Sequence, residues 1–437
     1  MFRRAALMAP LMIFALACDD DGASQPAEGQ DGAVVQVDST VVDAASGDDA
    51  AAPVPDGAAP VPDAGSEAPP ADGLPPAPPA GEFVQVDPGG DTLCSRGTPF
   101  HFFARGGDPK RLVVDFAGGG ACWDSLTCSA AGAIFNEEAT TLPQVEAAVD
   151  GGLLGGLYDP ADPANPVGDW TFVHVPYCTG DLHWGNKVTD YGNGVVINHK
   201  GLVNANAALN WVYARYPDVE EVLVTGCSAG SYGAIVHSAF IARHYPEARL
   251  SVLGDSGAGI ITDTWFEEAL PSWDAAAGLP DFVERLQGDL RDKTLVDVYA
   301  GVAETFPQHR FAHYTSAFDK DQTFYYTALG GDAADWPRLA RERMDDIRAA
   351  AENFRYYLAP GPVHCVILYP FYGSRVSDGV ALKDWVHDLV FGDALPDDVA
   401  CQGEDCFDDA VCDACAAGDT GLHCGFCRGW PEDYRGE

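Results

Sequence analysis

The clearest candidate for a reactive site is the pentapeptide GCSAG at 226–230. It matches the G-x-S-x-G pattern, in which a serine sits on a sharp turn between a strand and a helix. The neighbours must be small because the backbone is strained in such a turn. Apolar periodicity predicts a strand at 222–225 and a helix at 232–244, so Ser228 is a candidate nucleophile. The alternative is a glycine-rich connection without catalytic function.

A serine that attacks an ester needs N–H donors for the oxyanion that forms. In α/β-hydrolases one donor is the residue after the nucleophile, here Ala229, and the other lies in a glycine-rich loop after an earlier strand. The apolar run at 111–116 leads into three glycines, which predicts Gly119 and Gly120 as further donors. A phosphate-binding loop is disfavoured because no Walker-type Lys and Ser/Thr follow the glycines.

The general base of a triad in the order Ser, Asp/Glu, His must be a histidine well after Ser228. His364 lies in a loop that follows a predicted strand at 354–358, which is where such a base belongs. His387 falls on an amphipathic segment and is predicted to lie on a helix surface. His237 and His244 lie on the following predicted helix, too near in sequence to fold back, so the remaining downstream histidines are His309, His313, His364 and His387.

Two aspartates are serious candidates for the triad acid. Asp255 follows a predicted strand at 249–254, and Asp319 follows one at 310–315. Asp321 is a lesser third candidate. Position alone leaves the choice open because both main candidates follow strands.

Strands and helices alternate through the body of the chain, with a further strand predicted at 170–175 and a helix at 200–216. This alternation predicts an α/β fold with a largely parallel central sheet. We expect the catalytic domain at 82–396 and a small Cys-rich C-terminal module at 397–437.

Four segments resemble the pectinacetylesterase/Notum family, including its bacterial members. They are FAGGGAC at 116–122, VPYCTGD at 175–181, GCSAG at 226–230 and VHC at 363–365. The likeness spans roughly residues 83–392. One departure is Ala121, which stands where the family often has Trp, although Trp123 follows closely; that position helps to wall the acyl pocket.

The resemblance implies an α/β-hydrolase fold and removal of O-acyl groups, with Ser228 as nucleophile and His364 as base. It implies Asp319 as the acid, because the family's acid lies in a similar Phe-Asp or Tyr-Asp segment, and leaves Asp255 as a secondary candidate. No metal or organic cofactor is required.

The N-terminus has the features of an export signal, with Arg3 and Arg4 before a short apolar run at 7–17. This run ends at Cys18 in a lipobox-like context, which predicts a lipoprotein signal at 1–18 and a lipid anchor on Cys18. An ordinary cleaved signal with an incidental cysteine is the alternative. An acidic, Pro/Ala-rich stretch at 19–81 is predicted to be a disordered linker. We therefore expect an exported protein, lipid-anchored in the bacterial cell envelope or at the cell surface.

The formal net charge of the 437-residue chain is −41, which argues against nucleic-acid partners because phosphate binding needs Lys and Arg. The chain has 13 cysteines, and 12 remain without Cys18. An even number in an exported protein predicts disulfides.

The last cysteines also have zinc-like spacing, in Cys412-x-x-Cys415 and Cys424-x-x-Cys427. We favour disulfides over zinc or calcium in this exported module and expect no metal. It contains no catalytic candidate, so we expect a role in stabilisation or surface attachment and expect its deletion to spare the chemistry.

The sequence therefore predicts a serine carboxylesterase that removes O-acetyl or other short O-acyl groups, with acylated carbohydrate as the expected substrate. The alternatives are a deacylase of protein-linked or small-molecule esters and a non-catalytic envelope binding protein on a hydrolase scaffold.

Overall fold

A computed structural model of the chain describes residues 73, 75–262, 265–419 and 421–431. The predicted signal peptide, Cys18 and most of the predicted linker lie outside these residues. Residues 75–81 of the predicted linker are described, and the carbonyl of Pro75 accepts hydrogen bonds from Trp211 Nε1 and Arg215 Nε, both at 2.9 Å. No helix within the described ranges has the length and apolar character needed to cross a membrane.

The strands and helices alternate along the chain as expected. The strands are β1 (Phe83–Val86), β2 (Phe102–Arg105), β3 (Asp108–Phe116), β4 (Trp170–Val175), β5 (Lys187–Asp190), β6 (Val196–His199), β7 (Glu221–Cys227), β8 (Arg249–Asp255), β9 (Arg310–Ser316), β10 (Phe354–Ala359), β11 (Val376–Ser377), β12 (Val380–Ala381) and β13 (Val399–Ala400). The helices are α1 (Leu142–Asp150), α2 (Gly201–Arg215), α3 (Ala229–His244), α4 (Leu270–Trp273), α5 (Leu295–Thr305), α6 (Lys320–Ala328), α7 (Trp336–Ala350), α8 (Leu382–Phe391) and α9 (Ala410–Ala416).

In the described part of the chain, the main sheet has nine strands in the order β1-β2-β4-β3-β7-β8-β9-β10-β13. Within this sheet, the seven strands β4, β3, β7, β8, β9, β10 and β13 pair in parallel, whereas β1 and β2 add an antiparallel edge. The predicted α/β fold with a largely parallel sheet is confirmed.

Apolar side chains cover both faces of the sheet because the central strands are buried on both sides. In β3, Leu112 and Val114 face one core with residues of α2, α3, α5 and α7, whereas Val113 faces a second core with residues of α8. The carboxyl ends of the parallel strands share one edge of the sheet, so the loops after β3, β7, β8, β9 and β10 meet there.

Six disulfides pair twelve cysteines in the described residues, which confirms the disulfide prediction. In the body they are Cys94–Cys178, Cys122–Cys128 and Cys227–Cys365, and in the C-terminal module they are Cys401–Cys406, Cys412–Cys427 and Cys415–Cys424. The two CxxC pairs are thus cross-linked to each other, and their sulfurs are not thiolates that could bind zinc.

Candidate active site

Ser228 lies on the sharp turn between β7 and α3. Its backbone has φ 57° and ψ −123°, a strained conformation for a residue with a side chain. Its amide donates to the carbonyl of Asp255 at 2.7 Å. A Cβ at Gly226 would lie 2.4 Å from the Gly230 carbonyl oxygen, and one at Gly230 would lie 1.8 Å from that of Phe116. The glycines therefore allow the turn to approach β3.

The glycine-rich loop after β3 runs directly beside Ser228. A Cβ at Gly118 would lie 2.6 Å from the Cys227 carbonyl oxygen and 3.1 Å from Ser228 Cβ. Gly120, with φ 75°, and Ala229 line the same cavity as Ser228. Ala229 is the first residue of α3, so its amide has no acceptor within the helix.

Gly119, the third predicted oxyanion donor, is outside the lining of that cavity. Its φ is 149°, and its carbonyl accepts from the amide of Asn136 at 2.8 Å. The loop therefore presents Gly120 to the cavity, and Gly119 as an oxyanion donor stays a prediction.

A buried histidine that sequence reasoning missed holds the start of this loop. His183 Nε2 lies 2.9 Å from the Ala117 carbonyl oxygen, and its ring packs against Tyr177 with centroids 4.9 Å apart. Burial lowers the pKa of His183 to about 3, so the neutral ring donates its Nε2 proton to Ala117. His183 closely follows the VPYCTGD segment at 175–181, which is the one sequence signal that could have indicated it.

His364 follows β10 and is paired with Asp319, which follows β9. His364 Nδ1 lies 2.9 Å from Asp319 Oδ1 and 3.0 Å from Oδ2. Asp319 is fully buried and also accepts from the Gln322 amide at 2.9 Å and from Gln322 Nε2 at 2.8 Å. These bonds fix the carboxylate that faces the imidazole.

The carboxylates around His364 govern its protonation. Burial lowers the pKa of His364, but the negative charges of Asp319 and then Asp321 outweigh burial and raise it to about 9. Asp321, the third acid candidate, thus acts on His364 through its charge, whereas Asp319 makes the hydrogen bond. Burial raises the pKa of Asp321.

Asp255, the secondary acid candidate, binds the backbone of the His364 loop instead of the imidazole. Its Oδ2 accepts from the amides of Val366 at 2.7 Å and Ile367 at 2.9 Å, and its Oδ1 accepts from Ser256 Oγ at 2.9 Å. Burial raises its pKa to about 6. Asp255 therefore shapes the loop that carries His364.

A disulfide connects the two sides of the site. Cys227 directly precedes Ser228 and Cys365 directly follows His364, so their bond ties the nucleophile turn to the His364 loop. Among the described residues, two clusters of His and Cys lie close enough to share an ion, one with His199 and one with His364. The cysteines of both clusters are joined in disulfides, which removes them as thiolate ligands.

The cavity beside Ser228 is small and mostly apolar, with a volume of about 50 Å³. Trp123 is 4 % exposed and forms part of its wall beside Ala121, at the departure from the family pattern. Further wall residues are Leu182, Tyr232, Ile260, Ile261, Trp265, Tyr325, Leu329 and Trp336.

A larger cavity, of about 890 Å³, shares none of these residues and lies between α1 and the sheet edge formed by β1, β2 and β4. The described residues that line it include no serine, threonine or cysteine that could act as a nucleophile. The smaller cavity, which contains Ser228 and His364, is therefore the candidate active site.

Comparison with known proteins finds a family similarity in the first part of the described chain. Residues 82–267 match the pectinacetylesterase family model, which covers the glycine loop and Ser228 but ends before Asp319 and His364. Pectin acetylesterase 5 of Arabidopsis thaliana is 26% identical over 162 residues, 36% of each chain. The chain therefore spans little more than a third of the length of this curated relative.

A solved structure of the Wnt deacylase Notum from Drosophila has a similar fold, with a TM-score of 0.53 and 16% identity. The similarity covers 71% of this chain and 93% of the Notum chain. At 16% identity the comparison shows a similar fold and nothing about function. The chain is therefore similar to the pectinacetylesterase family over residues 82–267, and its fold is similar to that of Notum.

Proposed function

We propose that this protein is a serine carboxylesterase that removes acetyl or other short acyl groups from the oxygen atoms of a carbohydrate. The proposal rests on the arrangement of a serine, a histidine and an aspartate at one cavity. Ser228 lies on a strained turn and shares the cavity with His364, whose Nδ1 is hydrogen-bonded to Asp319.

The chemistry follows from the direction of these hydrogen bonds. Asp319 accepts the Nδ1 proton of His364, which leaves Nε2 as the atom that takes the proton of Ser228 Oγ. Oγ attacks the ester carbonyl carbon, and the amides of Gly120 and Ala229 stabilise the oxyanion.

Collapse of this intermediate breaks the bond to the alcohol oxygen, which leaves with the proton held by His364. The acyl group remains on Ser228 as an ester. A water molecule then gives a proton to His364 and attacks the acyl-enzyme, so the products are a carboxylic acid, the sugar alcohol and the free enzyme.

The size of the cavity supports a short acyl group. A volume of about 50 Å³ holds about four water-sized probes at 10–15 Å³ each. An acetyl group fits such a space, and a long acyl chain would have to displace the tryptophan walls. The name of the plant relative, a pectin acetylesterase, also fits an acetyl group.

The negative charge of the chain affects which carbohydrates it can bind. A net charge of −41 repels an acidic polymer at low salt unless the cleft is locally basic. We therefore propose acetylated carbohydrate as the substrate class and expect neutral polymers to be preferred over polygalacturonate.

The disulfides support the proposal that the protein is exported. Six disulfides favour an oxidising compartment. A lipid anchor on Cys18 and the domain limits of 82–396 and 397–437 remain proposals, to be tested by mass spectrometry of the mature N-terminus and by limited proteolysis.

Acetate release from a panel of acetylated polysaccharides tests the proposal, with 4-nitrophenyl acetate as a soluble substrate. The wild type should release acetate, and Ser228→Ala should reduce turnover by about 10⁶-fold or to background. Ser374→Ala, at an exposed serine, is the matched control and should retain full activity. An inactive wild type would favour a non-catalytic binding protein, and an active Ser228→Ala variant would exclude the serine mechanism.

A further inference from the structure

The described part of the C-terminal module that follows β13, residues 401–419 and 421–431, is attached to the strand that leads to His364. It follows β13, which pairs in parallel with β10, and the amide of Cys401 donates to the Leu358 carbonyl at 3.0 Å. Three internal disulfides hold the module together. It is therefore a cross-linked unit fixed at the end of β10.

The module contacts the residues that precede His364. The amide of Gly361 donates to the carbonyl of Cys406 at 2.9 Å. Gly361 has φ 86°, and a Cβ there would lie 1.6 Å from Asp409 Oδ2, so Asp409 presses directly on the loop backbone. Val363 is fully buried in a cluster with residues of the module, namely Val411, Cys412 and Phe426.

The module also contacts the residue that precedes Asp319. The ring of Phe318 lies 4.7 Å from that of Phe407 and 5.3 Å from that of Trp430, measured between centroids. Phe407 and Trp430 stack on each other at 5.5 Å. The loops that carry the acid and the base therefore share one packing surface.

A buried ion pair joins the module to both loops. Arg375 Nη1 lies 2.6 Å from Asp409 Oδ1, and the two side chains are 3% and 0% exposed. The same guanidinium donates to the Pro360 carbonyl at 2.6 Å and to Tyr314 OH at 3.0 Å. Tyr314 belongs to β9, which leads to Asp319, and Pro360 belongs to the loop that leads to His364.

We propose that the C-terminal module positions the acid and the base of the active site, with Asp409 as the central positioning residue. The inference rests on the proposed function. His364 lies on a loop outside any strand or helix, so its distance from Ser228 and Asp319 depends on what that loop packs against. A displacement of about 1 Å is enough to cost on the order of 100-fold in rate. The contacts argue against the expectation that deletion of the module spares the chemistry.

Asp409→Ala in the full-length protein tests the proposal, with Asp408→Ala as the matched control on the same loop. Asp408 is exposed, so its variant should keep the activity of the wild type. Asp409→Ala should lower kcat for 4-nitrophenyl acetate by about 10- to 100-fold. KM should stay within about threefold, because no residue that lines the cavity is changed. The rate at which a fluorophosphonate labels Ser228 should fall by a similar factor.

Loss of Asp409 leaves Arg375 buried without its counter-charge, so the fold has to be checked by near-UV circular dichroism and thermal melting. Asp409→Asn keeps acceptors for Arg375 and for the amide of Val411 and should recover part of kcat. If Asp409→Ala does not fold, Phe407→Ala decides, since it removes the ring contacts with Phe318 and Trp430 and leaves the buried ion pair of Arg375 and Asp409 in place.

A folded Asp409→Ala variant with the kcat and labelling rate of the wild type would overturn the proposal. A loss confined to KM would overturn it too, as would a fully active Phe407→Ala variant where Asp409→Ala does not fold. These results are distinct from failure of the proposed function, which would appear as an inactive wild type or an active Ser228→Ala variant.

Discussion

The assignment of Asp319 instead of Asp255 as the triad acid predicts what happens when the negative charge of Asp319 is removed. Asp319→Asn keeps the size of the side chain but removes the negative charge that faces His364 Nδ1 at 2.9 Å. The imidazolium formed during attack then loses its nearest counter-charge. The amide can also present its NH₂ to the imidazole and favour the tautomer with the proton on Nε2, which cannot accept the proton of Ser228.

The size of the effect follows from the protonation of His364. A rise of its pKa from 6.5 to about 9 corresponds to about 3 kcal/mol in favour of the imidazolium, and Asp319 contributes the largest favourable part. Loss of this stabilisation slows attack assisted by the neutral imidazole by roughly 300-fold. The wrong tautomer adds to the loss, so we expect kcat to fall by about 10² to 10⁴ above about pH 9, where the base is neutral in both enzymes. At neutral pH the loss is smaller, because the lower pKa in Asp319→Asn raises the fraction of neutral imidazole.

Asp255→Asn is the comparison, because it changes a buried carboxylate near the site that binds backbone amides instead of the imidazole. The new NH₂ would face donors from Val366, Ile367 or Ser256, at a cost of about 1–3 kcal/mol of folding stability for each unsatisfied group. Steady-state kinetics and thermal melting should thus show a catalytic defect in Asp319→Asn and a lower Tm in Asp255→Asn. A folded Asp255→Asn variant with the larger loss of kcat would refute the assignment.

Three further predictions concern the cavity, pH and the cysteines. Ile260→Ala should raise the ratio of kcat/KM for butyrate over acetate esters by about tenfold, because it enlarges the acyl cavity; a wild type that prefers acyl chains of about eight carbons would contradict the short-acyl proposal. The raised pKa of His364 keeps the base protonated at neutral pH, so kcat/KM should increase with pH through about 9, and this limb should move to lower pH in Asp319→Asn; a limb near pH 6.5 in the wild type would contradict the ion pair. Thiol titration of the denatured, unreduced protein should detect no free thiol among the twelve paired cysteines, whereas four free thiols with one bound zinc would contradict the disulfides.

The elements of the fold could be predicted where burial alone determines them. The strand predicted at 170–175 coincides with β4, in which every residue is buried. The helix predicted from 232 begins already at Ala229, because the turn at Ser228 leads directly into α3. Gly and Ser are weak helix formers, so local propensity gave no signal for this first turn.

The site could be predicted in part, since motif and chain order indicate Ser228 and a downstream histidine. The choice between Asp255 and Asp319 could not be made from position, because it depends on which loop approaches the imidazole at the edge of the sheet. His183 was missed because its partner, Ala117, is 66 residues away in the chain. The contacts of the C-terminal module with Gly361 and Phe318 are likewise long-range, and the module's composition indicates only its cross-links.

The most direct test of the central claim is to trap the acyl-enzyme. The wild type is mixed with 4-nitrophenyl acetate, quenched in acid within the first turnovers and digested for peptide mass spectrometry. We expect an acetyl group on Ser228, enriched in Asp319→Asn if deacylation is slowed more than acylation, and absent in Ser228→Ala. An acetyl group on another residue of an active wild type, or hydrolysis that persists in Ser228→Ala, would contradict nucleophilic catalysis by Ser228.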